Sequence, residues 1–126
     1  MNNYVKYNPN EKQKHAGDCV IRALCKALNK TWLEVFDLLV NEARKQQRII
    51  SEKEVYEQIL FEHGFIYNKI SNKKGSKRPR VFEKAKESTT PIVMNVANHI
   101  VTAENGKYYD IWDSGNRCLY GYYTKG

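Results

Sequence analysis

Residues 91–113, PIVMNVANHIVTAENGKYYDIWD, decide how this chain folds. Pro91–Val96, His99–Ala103 and Lys107–Trp112 are short runs rich in β-branched and aromatic residues, the composition of strands. Asn105-Gly106 lies between the second and third runs. Both residues tolerate a positive φ, which makes the pair a strong two-residue hairpin signal. Further on, Ser114-Gly115-Asn116 supplies a turn, and Cys118-Leu-Tyr-Gly-Tyr-Tyr reads as one more strand. These segments predict a small antiparallel sheet in the C-terminal third.

Upstream of the sheet the period changes from two to that of a helix. Gly17-Asp18 opens the apolar run Cys19–Leu28, with Asp18 as expected N-cap and Asn29 as the stop. Little of this run is polar, so the helix should be mostly buried. Thr31 with Glu34 forms a capping-box pattern ahead of Trp32, Val35, Phe36, Leu39 and Val40 at helical spacing. Ser51 with Glu54 repeats the pattern for a third helix, which should reach about His63 and end at Gly64. Residues 1–17 read as an extended arm or loop, and Phe65–Ile70 as a short strand. Helices followed by strands indicate an α+β domain, with N-terminal helices packed on the C-terminal sheet. No repeat divides the chain, and residues 1–126 are expected to form one domain.

The 126 residues suffice for one hydrophobic core, and no run approaches the ~20 apolar residues of a membrane span. The opening residues MNNYVKYNPNEKQKHAGD are polar and lack the apolar centre of a secretory signal. Three cysteines, Cys19, Cys25 and Cys118, form neither a disulfide framework nor a CxxC zinc pattern, which suits a reducing compartment. The expectation is a cytoplasmic protein with no membrane association. A formal charge of +7 favours acidic partners or nucleic acid. Lys73, Lys74, Lys77, Arg78 and Arg80, around Gly75 and Pro79, read as an exposed basic loop with the composition of a phosphate-contacting surface.

Chemistry concentrates on Cys19. A thiol at the start of a buried helix feels the positive end of the helix dipole and the unpaired N–H groups there, which stabilise a thiolate. Cys25, deeper in the same helix, should be a small buried hydrophobe. His99 opens a strand, from which an imidazole can reach a helix N-terminus, take the thiol proton and later protonate a leaving group. The return strand carries Asp110 and Asp113. With a two-residue turn at Asn105-Gly106, His99 falls opposite Trp112 and Asp110 opposite Val101. Asp110 then shares the face of His99 but is displaced along the strand, whereas Asp113 reaches the histidine only through a bulge or a longer turn. Either carboxylate could fix the imidazole tautomer.

A cysteine opening a buried helix, a distant histidine opening a strand and a polar residue on the next strand resemble the papain-like cysteine peptidases. The segment from Thr90 through His99 to Ala103, continued by Gly106–Asp113, is similar to double-glycine bacteriocin-processing peptidases. Gly17–Ala23 with the later Tyr109–Asp113 is similar to short papain-like proteins of bacteria and their phages. The family places a polar residue late on the return strand, which selects Asp113. Its spacing also implies a role for Gln13, six residues before Cys19, as a donor to the oxyanion.

The resemblance implies a papain-like fold and a cysteine hydrolase, a peptidase or isopeptidase, using Cys19, His99, Asp113 and Gln13 through a thioester and no cofactor. Deamidases and acyl transferases share this chemistry. Its substrate would be a protein or peptide, with an acidic one suited to the basic surface. A rival expectation is a non-catalytic basic protein on the same scaffold, engaging nucleic acid or a host regulator through the Lys73–Arg80 loop. His15 and His63 are read as surface and helix-end residues, and Cys118 as packed among aromatics.

Overall fold

A computed structural model describes residues 2–13, 17–71 and 77–125. His15, Lys73 and Lys74 lie outside the described residues. In chain order the elements are β1 (Tyr4–Lys6), α1 (Cys19–Leu28), α2 (Trp32–Gln46), α3 (Lys53–Glu62) and β2 (Phe65–Lys69). They continue with α4 (Val81–Lys86), β3 (Ile92–Val96), β4 (His99–Glu104), β5 (Lys107–Asp110) and β6 (Gly121–Lys125). The protein is mixed α+β. Among the described residues its sheet has six strands in the order β1-β5-β4-β3-β6-β2.

The predicted hairpin forms where Asn105 and Gly106 take φ of 52° and 81°. Its register pairs Glu104 with Lys107, Ala103 with Tyr108 and Thr102 with Tyr109. Instead of a plain loop, the N-terminal arm supplies an edge strand. Tyr4, Val5 and Lys6 pair in parallel with Tyr108, Tyr109 and Asp110, so the sheet is mixed rather than wholly antiparallel. Three residues carry too little periodicity to read as a strand, and their pairing depends on a partner about a hundred positions away.

All five residues of β3 are buried because both faces of the sheet are covered. On one face, Val93, Ile100 and Tyr123 join the core under α1, α2 and α3. On the other, Ile92, Met94, Val96, Val101, Ala103 and Tyr108 pack with Val81 and Ala85 of α4 and with Leu119. The short α4 was not visible among its lysines and glutamates. The Thr102 hydroxyl donates to the Ala23 carbonyl at 2.7 Å, tying α1 to β4.

Helix ends follow the predicted chemistry in part, and α3 ends at His63 just before Gly64 with φ 88°. Asn29 closes α1 with φ 54°. The Thr31–Glu34 capping box opens α2, its two bonds 2.9 and 3.2 Å long. At α3 the expected Ser51–Glu54 box does not form. Glu52 holds the N-cap position, and its carboxylate accepts the Ile49 N–H at 2.6 Å instead. Among the described residues no helix is long and apolar enough to cross a membrane.

Candidate functional site

Cys19 is the first residue of α1, and Asp18 occupies the N-cap position without bonding the helix N–H groups. The Asp18 carboxylate turns instead to the Arg22 guanidinium and to the Trp32 indole N–H, the latter at 2.8 Å. The Asp18 side chain therefore leaves the positive end of α1, where the thiol sits, without an N-cap bond. His99 is the first residue of β4, delivered by the tight Ala97-Asn98 turn in which Asn98 takes φ 53°. Asn tolerates this left-handed conformation better than most residues. The ring of Trp112 packs on the imidazole, centroids 4.8 Å apart.

His99 Nε2 lies 2.6 Å from Asp110 Oδ2. With Nε2 so engaged, Nδ1 is the ring nitrogen left for the Cys19 thiol. The carboxylate is itself held on every side. Ser114 Oγ donates to Oδ2 at 2.7 Å, the Ile111 N–H to Oδ1 at 2.8 Å, and Arg22 Nη2 to Oδ1 at 3.3 Å. Its backbone carbonyl accepts the Tyr7 N–H at 2.8 Å and the Tyr4 hydroxyl at 3.0 Å, so β1 clamps the end of β5.

Two expected site residues are placed elsewhere. Asp113 accepts the Tyr108 hydroxyl at 2.5 Å and the Gly115 N–H at 3.0 Å, closing a turn that lines a different recess with Asn2, Asn3 and Phe82. The bulge that would have carried it to His99 is absent. The regular pairing of β4 with β5 runs to Thr102–Tyr109, and the side chain of the next residue, Asp110, reaches the histidine. Gln13 is exposed, with φ 55°, and its amide donates to the Asn10 carbonyl at 3.1 Å. It is not among the residues lining the cleft beside Cys19.

The charges of the group favour an ion pair. Burial alone would push the Cys19 thiol up. Hydrogen bonding to His99, the imidazolium charge, the Ile100 backbone and Arg22 outweigh it and hold the thiol below its ordinary value. Burial also opposes the His99 charge, but hydrogen bonds to Asp110 and Cys19 and their charges raise the imidazole to about 9. Asp110 is held below the usual carboxylate range, against the burial that would raise it, by hydrogen bonds from His99 and Ser114. Both shifts favour the charged forms, a thiolate at Cys19 and an imidazolium at His99. Cys25 behaves oppositely, since burial and the Asp18 charge push its thiol up to about 12.

Two clefts meet at Cys19 and His99. One, of about 670 Å³, runs past Gly17, Asp18, Asn98, Ile111, Trp112 and Arg117. The other, of about 500 Å³, is walled by Val20, Tyr56, Tyr67, Val96 and Tyr120, with Lys53 at its side. Cys19 and His99 thus stand where an extended ligand could pass in both directions. Gly121 gives Tyr67 its place, because a Cβ there would collide with the Tyr67 hydroxyl and ring.

The described part of the basic segment is less free than its composition implies. Arg78 stacks on Tyr120 at 4.9 Å, and the Arg80 N–H is taken by Glu83 at the start of α4. Glu83 and Glu87 line the same recess as Lys77 and Arg78, so the patch is of mixed sign. Cys118 is exposed on an isolated bridge to Arg80, ahead of the regular part of β6, and is not packed as expected. His63 ends α3, its Nδ1 2.7 Å from the Ile59 carbonyl. Among the described residues no cluster of His, Cys, Asp and Glu is arranged to hold a metal ion. Arg22 is the site residue that sequence reasoning passed over. Its signal was a lone arginine inside an apolar helix, which must find carboxylates if buried. No protein-family model, curated protein or solved structure matches the chain.

Proposed function

We propose that this protein is a papain-like cysteine hydrolase, a peptidase or isopeptidase, in which Cys19 is the nucleophile, His99 the proton carrier and Asp110 the carboxylate that orients it. One observation carries the reading. A thiol at an uncapped helix start meets an imidazole whose far nitrogen is bonded at 2.6 Å to a buried carboxylate, at the junction of two clefts.

The chemistry follows from the charges. The Cys19 thiolate attacks the substrate carbonyl, and the carbonyl π electrons move onto oxygen. The Cys19 backbone N–H at the uncapped start of α1 is the donor nearest that oxyanion. As the tetrahedral adduct collapses, the C–N bond breaks and the amine leaves with the proton from His99 Nδ1, leaving a thioester on Cys19. His99, now neutral, takes a proton from water, whose oxygen attacks the thioester. Collapse expels the thiolate, releases the acid and restores the imidazolium. Asp110 stays ionised and fixes the tautomer that makes Nδ1 the working nitrogen. A cytoplasmic setting accords with three free thiols and with no cysteine pairing.

The test is selective alkylation. At about pH 6 ordinary thiols are almost wholly protonated and react slowly. Iodoacetamide should label Cys19 far faster than Cys118, although Cys118 is the more exposed, and His99→Ala should abolish the advantage. Turnover of a peptide library that is lost in Cys19→Ala would establish hydrolysis. Labelling of Cys19 no faster than that of Cys118 would end the proposal.

A further inference from the structure

The two arginines on the larger cleft are in different states. Arg22 is buried and tied to Asp18 and Asp110, so its charge is spent inside the protein. Arg117 is exposed, and among the described residues no carboxylate pairs with it. Its guanidinium lies over the indole of Trp112 at 5.3 Å, and that indole packs on His99 at 4.8 Å. The imidazole, indole and guanidinium therefore form a continuous row of contacts leading away from the Cys19 thiol.

The Arg117 backbone is pinned at both ends. Its N–H donates to the Ser114 carbonyl at 3.1 Å, and its own carbonyl accepts the Val81 N–H at 3.0 Å. Stacking on an aromatic face holds the planar fork in place while leaving its edge donors available, the state in which arginine recognises a carboxylate. Trp112, 40% exposed, offers an apolar floor beneath whatever the fork holds.

We propose that Trp112 and Arg117 form a subsite for a carboxylate on the leaving portion of the substrate. The assignment rests on the hydrolase reading above. The leaving amine departs over the imidazole that protonates it, so the chain beyond the cleaved bond follows the His99–Trp112–Arg117 row. At ~3.3 Å per extended residue, Arg117 meets the chain about two to three residues past that bond. Either an acidic side chain or a free C-terminal carboxylate there presents the same group to the fork. Asp18, the carboxylate lining this cleft, is buried against Arg22 and Trp32 and does not compete for Arg117.

Iodoacetylated peptides test this directly, because their rate of reaction at Cys19 reads binding along the cleft without requiring turnover. Iodoacetyl-Gly-Asp-amide, iodoacetyl-Gly-Asn-amide and iodoacetyl-Gly-Gly with a free carboxyl terminus are compared at low salt. Either anionic probe should outpace the neutral one about two- to fivefold, the worth of a partly exposed ion pair. The margin should shrink as salt is raised, and within Arg117→Gln the ratio should fall to one. Which anion gains shows whether a side chain or a chain terminus is the source. Equal rates for all three probes in the wild-type protein, or a preference that survives in Arg117→Gln, would overturn the subsite. Plain iodoacetamide separates the two failures. If it labels Cys19 rapidly while the probes are equal, only the subsite is lost; if it labels slowly, the hydrolase reading is lost first.

Discussion

Replacing Asp110 with Asn tests the electrostatic core of the site with almost no change in shape. In the wild-type protein the His99 imidazole stands at about 9, against an ordinary 6.5. That difference is on the order of 3 kcal/mol favouring the charged ring, at ~1.36 kcal/mol per pKa unit. Burial pulls His99 down, while hydrogen bonds and charges from Asp110 and Cys19 hold it up. Losing the Asp110 charge should therefore bring His99 from about 9 to roughly 7–8, nearer its ordinary value. Near pH 8 Cys19 then loses the imidazolium that stabilises its thiolate, so alkylation there should slow by up to about tenfold, while at about pH 6, where the ring stays charged, the rate should change little. The assay is the rate of Cys19 labelling by iodoacetamide across pH 5–10, paired with an NMR titration of the His99 ring. The stability profile must move with it. A raised histidine contributes stability fully below about 6.5, and that contribution is lost as pH climbs through about 9. The lowered Asp110 contributes above its unfolded value near 3.8 and loses that contribution as pH falls through its folded value. In Asp110→Asn both windows should flatten. A His99 ring that still titrates near 9 in this variant would refute the argument.

Asp113→Asn should leave the His99 titration in place, because its contacts are the Tyr108 hydroxyl and the Gly115 N–H; a loss of about 1 kcal/mol in urea unfolding is expected. Arg22→Met leaves Asp18 and Asp110 buried beside each other's charge and should cost about 3–5 kcal/mol, with the Cys19 alkylation profile shifted to higher pH; calorimetry and the same labelling assay measure both. Gly121→Ala drives a methyl group against Tyr67 and should cost about 1–3 kcal/mol, with a change in the ring resonances of Tyr67 as the second readout.

How much of this was legible depends on how local each signal was. The Asn105-Gly106 turn, the Asn29 stop and the Thr31–Glu34 box are written in two to four adjacent residues, and each appears in the structure. Cys19 and His99 were marked by standing at the starts of a helix and a strand. What failed needed distant partners. The β1 strand exists because β5 presents an edge to it, and α4 because Val81 and Ala85 fill the second face of the sheet. The Ser51–Glu54 box had the right spacing, but the helix begins two residues later, with Glu52 drawn to the Ile49 N–H. Gln13 had family spacing, yet its own αL backbone and its bond to Asn10 govern where its amide goes.

The carboxylate assignment shows how a buried charge could have settled what strand register left open. From the hairpin alone, Asp110 shared the right face but stood two residues out of line, so Asp113 looked competitive. Arg22 adds the missing constraint. In the run CVIRALCKAL it lies on a helix buried all along the sheet, and a guanidinium there requires carboxylates within reach. Asp18, one turn earlier, can meet only part of its fork. The remaining partner comes from the end of β5, where Asp110, the last residue of the strand, reaches Arg22, whereas Asp113 lies beyond the strand end. The same carboxylate then faces Arg22 with one oxygen and His99 with the other. A residue that satisfies the buried arginine is thereby fixed in the orientation the histidine needs. The packing of α1 on the sheet and the charge state of Cys19 therefore depend on one shared side chain.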